Sequence, residues 1–107
     1  MNRRLMTAVT CTTQNNRQTV AFGQELTIFQ VDDIHQAMLL GIDFEKDVYL
    51  DLSQVKEFDT TGVQLLIALN MSLTSSGKKA YLSAASEDAQ SCLALFNITD
   101  LFAPAHA

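Results

Sequence analysis

The sequence predicts an α/β domain: a small mixed, mostly parallel sheet of four to five strands with helices packed on one face. Two observations predict it. Short stretches with apolar residues at every second position recur along the chain, and from the middle onward each is followed by a run with apolar residues at helical spacing. Strands joined through helices run parallel and cross over with one hand, so the helices collect on one side of the sheet. The 107 residues suit a single domain spanning 1–107. A chain of that size buries roughly two thirds of its unfolded surface, enough for a core without metal or disulfide staples.

The elements follow in the order β-β-α-β-α-β-α. "MTAVTCTT" is rich in β-branched residues, "QNNR" supplies turn residues, and "QTVAF" follows and stops at Gly23, so the chain starts with a hairpin. In "VDDIHQAMLLGI", Val31, Ile34, Met38 and Ile42 share one helical face. Asp32 and Asp33 sit in the first turn, where the helix dipole favours acids. "DVYLDLS" is the clearest strand, with Val48, Leu50 and Leu52 on one face and Tyr49 and Asp51 on the other. That alternation implies a sheet with one face covered and the other wet.

"GVQLLIALNMSLTSS" is a long apolar helix stopped by Gly77, and "KKAYLSAA" alternates again through Ala80, Leu82 and Ala84. Ser86 caps a third helix, where Ala89, Cys92, Leu93 and Phe96 form a stripe. Ile98, Leu101 and Phe102 close the chain as packing anchors.

Composition narrows the function classes. Apolar residues make up 48% and charged residues 18%, a globular balance rather than a disordered one. The formal net charge is −5, and the basic residues Arg3, Arg4, Arg17, Lys46, Lys56, Lys78 and Lys79 are scattered. This argues against nucleic acid and anionic membrane as principal partners. Cys11 and Cys92 lie far apart and match no metal spacing, so they read as two buried, reduced thiols. The N-terminal stretch is a poor signal peptide and no apolar run reaches membrane-spanning length, so the expected location is cytoplasmic, without membrane insertion.

One stretch carries chemistry. In "EFDTTGVQLL" an acid, two hydroxyls and a glycine stand at the mouth of an apolar helix beginning around Gly62. Asp59, Thr60 and Thr61 fall at or beside its N-cap, where a side-chain oxygen accepts from free backbone N–H groups. One cap needs one residue, yet three oxygen-bearing side chains are gathered here. Glycine is a poor first helical residue, so its missing side chain serves close approach by another backbone. A hydroxyl at a helix N-terminus is also a favourable place for a phosphoryl group.

These residues carry a family resemblance. "VYLDLSQVKEFDTTGVQLLIALNMSLTSSGKKAYLSAAS" resembles the core of a STAS domain, the anti-sigma-factor-antagonist family, and "GQELTIFQVDDIHQAML" resembles that family's Gly-Glu-Leu segment leading into its first helix. The similarity runs from about Thr19 to Phe102. The resemblance implies a binding switch. In the antagonists a partner kinase that doubles as an anti-sigma factor phosphorylates the first hydroxyl after the motif's acid, which here is Thr60, with Thr61 the second choice. The partner surface it implies comprises Asp59, Thr60, Thr61, Gly62 and Gln64, with Glu25 and Thr27. On this reading a bulky residue at Gly62 harms docking more than stability. The chain departs from the pattern twice: Thr60 replaces the commoner serine, and Thr27 stands where antagonists often carry an acid.

The same residues also resemble the small STAS subunits that sit on the ATPase of bacterial phospholipid-transport ABC complexes, where the position of Thr60 belongs to a docking surface. STAS modules beside chemotaxis and second-messenger genes share "DTAGLQLL"-like motifs. Catalysis is the contrasting hypothesis: Asp51, Asp59 and Thr60 would supply acid, base and nucleophile, with His35 or His106 as the activating base. No glycine-rich phosphate loop and no metal-ligand cluster accompanies them, so the expectation is no enzyme, no cofactor and no metal. Asp51, at a strand end, is placed either to hydrogen-bond the motif loop or to serve the fold.

Overall fold

The computed structural model describes residues 9–104. Strands β1 (Val9–Gln14) and β2 (Arg17–Phe22) form the hairpin, joined by Asn15 and Asn16, both with positive φ. Two left-handed residues match the right-handed twist of a two-residue hairpin, and asparagine tolerates that region best after glycine. Then follow β3 (Glu25–Leu26), α1 (Val31–Gly41), β4 (Val48–Leu52), β5 (Glu57–Phe58), α2 (Thr60–Ser75), β6 (Ala80–Ala85), α3 (Glu87–Leu95), a 3-10 turn (Thr99–Leu101) and β7 (Ala103–Pro104). The main sheet has five strands in the order β1-β2-β4-β6-β7, antiparallel at β1 and parallel elsewhere. β3 and β5 make a separate two-stranded parallel ladder.

One face of the sheet is covered. Val20, Phe22, Val48, Leu50, Leu52 and Ala80 lie buried against Ile34 and Met38 of α1, Leu66, Leu69 and Leu73 of α2, and Ala89 and Leu93 of α3. Each fully buried leucine or valine contributes about 1.5–3 kcal/mol over an exposed one. The opposite face is wet: Tyr49 and Tyr81 stack with centroids 4.8 Å apart, and the Arg17 guanidinium lies 4.0 Å above the Tyr49 ring.

Two helix ends close alike. After α2, Gly77 takes φ +74° while the N–H groups of Gly77 and Lys78 donate to the Thr74 and Leu73 carbonyls. After α3, Asn97 takes φ +61° and the N–H groups of Asn97 and Ile98 donate to the Ala94 and Leu93 carbonyls. A left-handed residue at this position lets the chain satisfy the last helical carbonyls as it turns away.

Four expectations change. α2 begins at Thr60, two residues before Gly62, because Asp59 rather than a later residue caps it. The register of β6 against β4 shifts between Leu50 and Asp51, so Leu82 pairs with Leu50 but Ala84 pairs with Asp51 and Ala85 with Leu52. Ser83 is the extra residue, its Oγ donating to the Leu50 carbonyl. The bulge resets the alternation, so Ala85, not Ala84, packs towards the core. Phe96 follows the last turn of α3 and is 38% exposed, and Leu101 in the 3-10 turn is 37% exposed, so neither is a core anchor, whereas Phe102 is buried. Cys11 and Cys92 are free thiols, each half-buried rather than buried.

A buried polar side chain fixes the approach to β4. Gln18, only 3% exposed, accepts from the Asp43 N–H at 2.7 Å and donates to the Asp43 carbonyl at 3.0 Å. Gln18→Leu strands that backbone N–H and carbonyl, so a loss of about 2–4 kcal/mol is expected. Chemical denaturation checks it: an unchanged midpoint means water replaces the amide.

Candidate functional site

The site is built around Asp59. β5 ends at Phe58, and the Asp59 N–H donates to the Leu26 carbonyl at 3.3 Å, which joins the short β3–β5 ladder to the start of α2. The Asp59 backbone is extended, and its Oδ1 accepts from the Gly62 N–H at 3.1 Å, satisfying one of the orphan donors of the first turn. Its second oxygen, Oδ2, accepts from the Ile28 N–H at 3.1 Å. One carboxylate therefore ties the beginning of α2 to the segment that leads into α1.

Gly62 is buried where those two segments meet. A Cβ placed there would lie 2.2 Å from the Leu26 carbonyl oxygen and 2.9 Å from Leu26 Cγ. The close approach expected of this glycine is thus to a backbone of the same chain, and it serves the fold.

The Thr27–Gln30 turn stands beside this junction. The Gln30 N–H donates to the Thr27 carbonyl at 2.9 Å, and the Phe29 N–H to Thr27 Oγ1 at 3.3 Å. Thr27 is itself buried, so its side chain shapes the turn. Ile28 and Phe29, at the two central positions, are held outward, and Phe29 is 84% exposed. α1 then starts at Val31 with no side chain capping it. Phe29 lay outside the sequence-based set. Its signal was its place off the α1 stripe, two residues before Val31 and five before Ile34.

The hydroxyl residues divide. Thr60 is the first residue of α2 and exposed, Thr61 is half-buried, and Gln64, one turn on from Thr60, is exposed. Glu25 is half-buried and pairs in register with the exposed Glu57 across the β3–β5 ladder. Cys92 of α3 approaches from behind, its Sγ 3.8 Å from the Phe58 carbonyl oxygen. Burial pushes the Cys92 thiol pKa up, and the Asp59 charge adds to the rise.

Asp51 accepts from the Ser53 N–H at 2.9 Å and so shapes the turn after its own strand, apart from the motif loop. His35 is exposed on α1 and lines a groove with Phe44, Leu65 and Ser72, about two to four turns along α2 from the cap. His106 lies outside the described residues. Among the described residues no group of three or more His, Cys, Asp or Glu side chains is arranged to hold a metal ion.

The STAS family model described as "Mlab, STAS domain" matches residues 9–103. The chain belongs to the STAS family. Its fold is shared with the anti-sigma factor antagonist SpoIIAA, solved in its unphosphorylated form: the TM-score is 0.70 with 14% identity, covering 92% of this chain and 88% of that one. No curated protein matches. STAS domains with this fold are in general non-enzymatic regulatory modules that act through protein–protein contacts. Among the described residues no helix of this member is long and apolar enough to cross a membrane.

Proposed function

We propose that this STAS domain docks a kinase-type anti-sigma factor through the N-terminal end of α2 and the neighbouring turn, and that phosphorylation of Thr60 releases it. The observation that carries the reading is an exposed hydroxyl next to Asp59, the residue that ties both segments together. A phosphoryl group on Thr60 adds about −1.5 to −2 charges beside that carboxylate. Covered by a partner that places no cation opposite Thr60, that dianion loses its hydration, which costs several kcal/mol. Since each ~1.4 kcal/mol is a tenfold loss of affinity, a loss of about a hundredfold is expected. The contacts are Thr60, Thr61, Gln64 and Glu25, with Asp59, Gly62 and Thr27 holding the surface in shape.

The test is intact mass with fragment mapping on protein purified from its own cells under phosphatase inhibition, followed by calorimetry with the purified kinase-type partner. Phosphate on Thr60, with binding kept in Thr60→Ala and weakened in Thr60→Glu, is the expected result. Phosphorylated protein that binds as tightly as the unmodified form ends the charge-switch idea.

A second reading, constitutive docking on a transporter ATPase, is favoured by Thr27, which offers no carboxylate where a kinase contact is usual. Protein that stays unmodified across growth conditions moves the weight to it.

A further inference from the structure

Phe29 is the most exposed aromatic side chain on the charge-bearing end of the domain, and three features around it describe what covers it. The first is shape. Phe29 and Ile28 form a convex knob at the tip of the Thr27–Gln30 turn, held by the Ile28 N–H bond to Asp59. A knob requires a partner with a cleft, which excludes a small molecule as its occupant.

The second is charge. Residues 24–34 and 56–61 carry the acids Glu25, Asp32, Asp33, Glu57 and Asp59 against the single base Lys56. Anionic headgroups are repelled by such a surface. A second copy of the chain meeting it face to face brings the same acids together. The third is the pairing of Glu25 with Glu57. Directly opposed like charges weaken a strand pair, and this ladder has only two residue pairs to lose. A cation from outside, seated across both carboxylates, removes that repulsion.

We infer that the domain's partner is a protein that receives Phe29 in an apolar cleft and sets an arginine or lysine against Glu25 and Glu57. This rests on the docking reading above and specifies the chemistry of the partner's surface. Phe29 is the energetic anchor, since a few residues carry most of an interface's binding energy and an exposed aromatic ring fully desolvated in a pocket buries the most apolar area here. The Glu25–Glu57 pair supplies the complementary charge that sets orientation and association rate.

The test uses the full chain with a benzophenone amino acid at position 29 in its own cells, and Leu40, 89% exposed at the far end of α1, as the control position. The expected result is an adduct from position 29 and none from position 40. The partner peptide, mapped by mass spectrometry, should carry arginine or lysine beside apolar residues. The purified partner should then bind Phe29→Ser about tenfold or more weakly at an unchanged melting temperature. The Glu25→Gln/Glu57→Gln double variant should melt higher yet lose affinity, most clearly at low salt.

No adduct at 29, adducts from both positions, an adduct with a second copy, or unchanged affinity of Phe29→Ser each overturns the inference. Binding that responds to Thr60 phosphorylation but ignores Phe29→Ser sinks this inference alone. Binding that needs Phe29 but ignores the phosphate sinks the switch alone.

Discussion

Gly62→Ala is expected to lower the melting temperature by about 8 °C or more, although alanine is the better helix former. The two effects have opposite signs and different sizes. Alanine in place of glycine in a helix contributes about 1 kcal/mol through propensity. Against it stands a Cβ only 2.2 Å from the Leu26 carbonyl oxygen, an obstacle made of backbone rather than a flexible side chain. Overpacking of that kind costs about 3 kcal/mol or more, and the net loss of about 2 kcal/mol converts at roughly 4 °C per kcal/mol for a domain of this size. Gly62→Val is expected to cost more, because a branched Cβ adds atoms in the same place. Calorimetric melting checks both. A melting temperature equal to or above wild type for Gly62→Ala means that β3 moves aside freely, and the rigid junction described here is then wrong. Stability therefore falls first and docking falls as its consequence, the reverse of the order that the motif alone suggests.

Asp59→Ala is expected to cost about 2–3 kcal/mol, combining a lost N-cap with a lost charge-assisted bond to the Ile28 N–H. Asp59→Asn separates the two. Its carbonyl oxygen caps α2 as well as a carboxylate does, while its NH2 group faces the Ile28 N–H, donor against donor. The expected outcome is a loss of about 1–2 kcal/mol for Asn, smaller than for Ala because the cap is kept, with faster amide exchange confined to Ile28 and Phe29. Unchanged exchange at those two amides in Asp59→Asn would falsify the role of Asp59 as the tether of the turn. Wild-type exchange and docking in Asp59→Ala would extend that failure to the whole site.

The contrast between these residues shows where sequence reading reaches and where it stops. Asp59 was legible as a cap because capping is a local event, with donor and acceptor three residues apart. Its second bond, to Ile28, spans 31 residues and leaves no periodic trace. The role of Gly62 was legible in kind, as a close backbone approach, but not in object, since Leu26 lies 36 positions away. Thr27 looked like a surface residue by type and is buried by its turn. Phe29, off the α1 stripe, is turned outward by the same turn.

The sequence by itself determined the elements whose signals repeat within a few residues. Alternation at Val48, Leu50 and Leu52 specifies a half-covered strand, and the acid and hydroxyls ahead of "GVQLL" specify a helix start. With Gly77 closing α2, these settle a mostly parallel sheet covered on one face. Only the tertiary structure decided the β3–β5 ladder, the bulge at Ser83, the buried amide of Gln18 and the outward knob at Phe29. The physical reason is range. A two-residue strand is too short to have a period, and a bulge or a buried glutamine is stabilised by partners 25 to 33 residues away, whose positions exist only once the chain has closed on itself.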